Sequence, residues 1–123
     1  MMLLTWDLLL TRITLNKAIA KILQERNDSK ESLRIVFNEI LKVVTYALID
    51  FDLHLETNSL LFIVGSLFKG MRINDTLVAD MIFLNEIEPE SLKDSDIQLI
   101  LALEPPEYVK HMLTNAVLSA HVN

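Results

Sequence analysis

The chain has no cysteine, only two glycines and three prolines, and no apolar stretch long enough to cross a bilayer. Each shortage excludes something. Without cysteine there is no disulfide framework, thiolate metal site or thiol nucleophile. The two glycines, Gly65 and Gly70, cannot build a glycine-rich phosphate loop, in which several bare backbone amides approach an anion. The charge-free apolar run from Thr57 to Phe68 is twelve residues, against the roughly 20 that a membrane-spanning helix needs. The apolar start, Met1 to Leu10, lacks a basic flank and is interrupted by Asp7, so it does not read as a secretory signal. The expectation is a soluble, cytoplasmic protein without metal or cofactor.

What is present is apolar side chain in excess. Of 123 residues, 51% are hydrophobic, and the mean hydropathy is +0.34. A domain of this size has much surface for its volume, so its own core is not expected to hide so much. Either one helix is buried on nearly all sides, or an apolar face is covered by a partner or a second copy.

Periodicity is mostly helical. From Leu3 to Arg26 two stripes run side by side, one through Leu8, Leu15, Ile19 and Ile22, the other through Trp6, Leu9, Ile13 and Ala20. The β-branched cluster Thr11, Ile13 and Thr14 weakens this helix midway. Asn27-Asp28-Ser29 ends it, and Asp28 with Glu31 resembles a capping box for a second helix, Lys30 to about Asp50. There Leu33, Val36, Phe37, Ile40, Val44, Ala47 and Leu48 make a broad apolar face. So short a connection folds two long helices back as an antiparallel hairpin.

Phe51, Leu53 and Leu55 then alternate with polar residues, as a half-buried strand would. Met71 to Asn74 alternates too, which keeps open an α+β alternative with a minor pairing of 51–56 and 71–74. Between them the helix Ser59 to Lys69, capped by Thr57 or Asn58, is apolar around most of its circumference and belongs in the centre of the domain. Gly65 and Ser66 would let a neighbour approach it closely. A fourth helix runs from Asn74 or Asp75 to Glu86, a fifth covers Ile97 to Leu103 with Ser95 and Gln98 as its capping box, and Pro105-Pro106-Glu107 starts the last. The expected fold is all-α, a compact single-domain bundle of five or six helices on an N-terminal hairpin.

Chemistry-bearing motifs are absent. The serines fall at caps or on helices, outside any nucleophile-elbow context. His54 with Glu56, and Glu107 with His111 four residues on, could ligate a metal or exchange a proton if the two pairs met in space. The plain reading is solvent-facing polar residues, and His121 belongs to the C-terminal end. A small enzyme using one of these histidines with a carboxylate is the minor alternative.

Charge carries more information. Residues 1–49 hold seven Lys/Arg against five Asp/Glu, whereas residues 50–123 hold four against twelve. The basic residues near the hairpin tip are interleaved with Glu25, Asp28 and Glu31, which argues against nucleic-acid binding. Glu86, Glu88, Glu90, Asp94 and Asp96 face Lys93 alone, followed by Glu104 and Glu107. Such a stretch either docks a basic partner or is a solvated connector whose acids favour helix N-termini. Trp6, Leu9 and Ile13 are the candidate apolar anchors of an interface, through which the chain would form a homodimer. These features together suggest a non-catalytic protein-binding module, an adaptor or regulator. Inhibitors, immunity proteins and secretion chaperones that dock basic partners are the nearest examples.

Overall fold

The computed structural model describes residues 3–26, 29–71 and 87–122. The described residues form six α-helices: α1 (Trp6–Leu15), α2 (Lys17–Glu25), α3 (Lys30–Asp50), α4 (Thr57–Gly70), α5 (Asp94–Ala102) and α6 (Glu107–Val122). A single 3-10 turn, Pro89–Ser91, precedes α5. The fold is all-α, and one cluster of buried apolar side chains draws on every helix. Among the described residues none forms a strand, which overturns the α+β alternative. The expected helix ending at Glu86 lies outside the described residues, as does 72–74 of the expected strand.

The N-terminal segment is two helices, not one. Asn16 ends α1, donating its backbone N–H to Ile13, and starts α2, its side-chain oxygen accepting from the Ile19 N–H at 3.0 Å. The break explains the two stripes. Trp6, Leu9 and Ile13 of one stripe are buried from α1, and Ile19 of the other from α2, because the interruption resets the rotational phase. Leu15 and Ala20, the odd members of each stripe, are left exposed. Arg12 hydrogen-bonds Asp50 at 2.9 Å and Asn16 bonds Glu39 at 3.1 Å, so α1 runs antiparallel to α3. The hairpin stands, with a kinked first arm.

α3 begins at Ser29, whose hydroxyl accepts from the Ser32 N–H at 3.2 Å. Ser29 takes the N-cap role expected of Asp28, which lies outside the described residues. Leu33, Val36, Ile40, Val44 and Ala47 are wholly buried along one stripe. Each larger side chain removed from water in this way contributes about 1.5–3 kcal/mol. α3 closes in a Schellman arrangement: Asp52 and Leu53 donate to the carbonyls of Ile49 and Leu48 at 3.1 and 2.8 Å. Asp52 holds a left-handed φ of 53° there. That turn consumes the amides an edge strand would have needed, which is why the alternation after Phe51 yields a connector.

α4 packs along α3, with Phe37 and Phe68 edge-to-face at 5.6 Å. Its burial around Phe62, Ile63, Val64, Leu67 and Phe68 absorbs part of the apolar excess. Gly65 is not needed for close approach, since among the described residues nothing lies within 4 Å of where a Cβ would stand. The carboxylate at the start of α4 comes from elsewhere in the chain. Glu56 precedes the helix without capping it, and neither Thr57 nor Asn58 does so. Instead Asp96, from the first turn of α5, accepts from the Glu56 N–H at 3.2 Å and the Ser59 hydroxyl at 2.5 Å. One carboxylate thus sits at the positive ends of two helices. α5 itself starts at Asp94, so its N-cap position is Lys93, two residues before the expected serine, and it has no side-chain cap. It ends in Glu104, left-handed at φ 57°, before Pro105, which has no N–H to continue the pattern. α2 closes likewise on Arg26, at φ 51°.

Replacing Asp96 with alanine is expected to lower unfolding free energy by about 1.5–3 kcal/mol, the range for hydrogen bonds to a charged group. Ser59→Ala should cost about 1 kcal/mol alone and less in the Asp96→Ala background, because both remove the same bond. Urea unfolding of the two single variants and the double variant measures this directly.

Candidate functional site

The anchors expected of the N-terminal helix are interior. Trp6, Leu9 and Ile13 are 3%, 0% and 1% exposed, so a stripe read as an interface is part of the core. The reset at Asn16 is the cause, since it lets both stripes of the segment face the bundle. The homodimer expectation thereby loses the surface on which it rested. The large apolar residues exposed in this segment are Leu3, Leu10, Leu15 and Leu23.

The acidic stretch divides. Glu88, Glu90 and Asp94 are exposed, whereas Asp96 is buried and engaged by α4, which removes it from any docking face. Glu86 lies outside the described residues. The 3-10 turn holds its shape through Pro89 at its first position and the Ser91 hydroxyl, which donates to the Glu88 carbonyl at 2.7 Å. Lys93, the one cation here, reaches across to Glu56 at 2.8 Å. The hydrogen bond that Lys93 donates to Glu56 and the negative charge of Glu56, helped by Asp96, raise the Lys93 pKa above its usual 10.5. Lys93 is thus committed to Glu56, away from Glu88 and Glu90.

The histidines remain local. His54 lies 3.5 Å from Asp52 rather than against Glu56, and His111 lies 3.8 Å from Glu107 one turn back; all four side chains are largely exposed. Among the described residues no group of three or more His, Asp or Glu side chains converges as a metal ion would require. No helix among them is long and apolar enough to cross a membrane. His121 lies outside the described side chains.

A different site emerges where helix ends meet. The start of α1 is held by Thr5, whose hydroxyl accepts from the Leu8 N–H at 3.1 Å. The Trp6 N–H then donates to the Leu103 carbonyl at the end of α5, at 2.6 Å. That bond brings the next residue of each strand of chain, Asp7 and Glu104, to one cavity of about 330 Å³. Tyr108 and Met71 line it with accessible surface, whereas Trp6 and Leu67 border it from the core at 3% and 1% exposure. Tyr108 donates its hydroxyl to the Ser66 carbonyl at 2.8 Å. Gly70 gives this hydroxyl room, because a Cβ there would stand 3.0 Å from the Tyr108 oxygen and press it aside by a few tenths of an ångström. Partial burial raises the Tyr108 pKa above its usual 10.0. Neither Asp7 nor Glu104 stands out in the linear sequence, where one interrupts an apolar run and the other ends a helix. The Trp6–Leu103 bond, between residues far apart in the chain, is the contact that ties their two segments together.

No family model matches the chain, and no curated protein and no solved structure is found to be similar to it.

Two outcomes follow. The double variant Trp6→Asp, Leu9→Asp is expected to lose its cooperative thermal transition, because it buries two unpartnered charges in the core. A folded product of altered mass would instead restore the interface reading. In the alkaline range, Tyr108 and Lys93 keep their protons to higher pH when folded than when unfolded. Their contribution is therefore full below about pH 10 and falls as pH rises through the folded values. Tyr108→Phe should lower stability by about 0.5–1.5 kcal/mol near neutrality and flatten this alkaline decline, as read by unfolding curves at stepped pH.

Proposed function

We propose that the protein is a non-catalytic binding module, an adaptor or regulator that docks a basic protein partner in the cytoplasm. The observation that carries this reading is the excess of exposed negative charge in the segment before and within the last two helices, where, among the described residues, Lys110 meets only Glu107, at 3.8 Å. Glu88, Glu90, Asp94, Glu104 and Glu107 are all exposed there, and Lys93 is held by Glu56. Exposed charge of one sign speeds encounter with the opposite sign and disfavours like-charged partners more than it adds raw affinity. Inhibitors, immunity proteins and secretion chaperones that mask a basic partner are the nearest functional classes.

The test is affinity purification from the native source with two baits, the native chain and the triple variant Glu88→Lys, Glu90→Lys, Asp94→Lys. The native bait is expected to retain a stoichiometric basic protein that salt releases. The variant bait, folded by circular dichroism, should retain it at least tenfold less. Equal retention by both baits, or no stoichiometric protein on the native bait, overturns the reading.

A further inference from the structure

The cavity at the joined ends of α1, α4, α5 and α6 has a chemistry of its own. Its polar groups include two carboxylates, Asp7 and Glu104, and no cationic side chain lines it among the described residues. Neither carboxylate has a hydrogen bond or ion pair among those residues. Trp6 is buried and Tyr108 partly exposed. The Tyr108 hydroxyl gives its proton to Ser66, which leaves its oxygen free to accept. At about 330 Å³ the space is at the low end of small-ligand pockets, roughly 300–1,000 Å³. It is ample for one long side chain.

We propose that this cavity receives a single arginine side chain presented by a basic segment of a partner protein. The guanidinium is the cation that suits this lining. It is planar, weakly hydrated, stacks on aromatic rings and bonds carboxylates through a fork of donors, whereas an ammonium is a compact, strongly hydrated point charge. The methylene stem lies along Leu10 and Met71, the accessible apolar residues of the lining, as long cationic side chains do on apolar surface. Glu104 is held in a left-handed conformation that glycine would adopt without strain. The carboxylate therefore occupies a backbone position that local preference does not favour. The inference rests on the reading of the protein as a module for basic partners, and it names the contact that would give such docking its register.

Trp6 is the only tryptophan in the chain, so indole fluorescence comes from one residue, which belongs to the core and borders this cavity. The probes are the blocked tripeptide acetyl-Ala-Arg-Ala-amide and its neutral citrulline counterpart. The arginine peptide is expected to change the Trp6 signal saturably, and more tightly than the lysine peptide. The citrulline peptide should give at least tenfold weaker binding. Asp7→Asn with Glu104→Gln should weaken arginine binding at least tenfold. Glu104→Gly, which keeps the left-handed backbone and removes the carboxylate, should weaken it without loss of folding. No saturable change, equal binding of the citrulline peptide, or full binding by the double variant overturns the proposal. So does a response seen only in an Arg72→Ala chain, which would assign the cavity to this protein's own arginine after Met71. A native bait that still loses its partner on reversal of Glu88, Glu90 and Asp94 would leave the module reading intact while the cavity proposal fell. Arginine-specific binding without any captured protein would do the reverse.

Discussion

Leu33, Val36, Ile40, Val44 and Ala47 leave water completely along one stripe of α3, and the other elements are arranged by the need to cover that stripe. α1 and α2 lie on it as two short rods because a single straight helix could not keep Trp6, Leu9, Ile13 and Ile19 all facing it. α4 covers a further side, with the Phe37–Phe68 contact between them. A helix buried on several faces tolerates little change in volume, since protein interiors are packed at the density of organic crystals. The polar contacts are consistent with this order. Arg12 to Asp50 and Asn16 to Glu39 tie α1 and the head of α2 to α3 without placing an unpaired charge inside.

α3 was legible almost residue by residue, because its apolar pattern is local and its period is regular. The same holds for the greasy circumference of α4 and for the proline-led start of α6. What sequence reading missed was non-local. The carboxylate that holds the start of α4 is Asp96, forty residues beyond Glu56, so no pattern near Thr57 announces it. The doubled stripe of the N-terminal segment has two readings at equal periodicity, a single helix with two faces or two helices with one face each. Asn16 decides between them, and its capping role shows only once Ile19 is placed over it. The β-branched residues upstream pointed to a weak helix but to the wrong place for the break.

The candidate site shows the same division. Net acidity in the second part of the chain is plain from composition, and Glu88, Glu90 and Asp94 do face solvent. Which acid is structural and which is free is not a property of the segment. Asp96 differs from Asp94 by position on one helical turn, and that difference alone sends it into the bundle. The excess of apolar residues resolves inward as well. α1 and α4 absorb part of it, and Leu15, Tyr46 and Ile49 are among the large apolar residues that stay exposed.

The scarcity of glycine has a consequence at the helix ends. Arg26, Asp52 and Glu104 each hold a left-handed backbone where glycine is the usual choice. In the folded chain a side chain at such a position costs on the order of 1–2 kcal/mol, less for aspartate, whose short polar group suits it. The same side chain restricts the unfolded ensemble, and relative to glycine this recovers about 0.4–1 kcal/mol. The protein therefore turns its corners with a denatured state that is less free than a glycine-rich chain would have. Part of what folding must order at those three corners is already narrowed by the residues themselves.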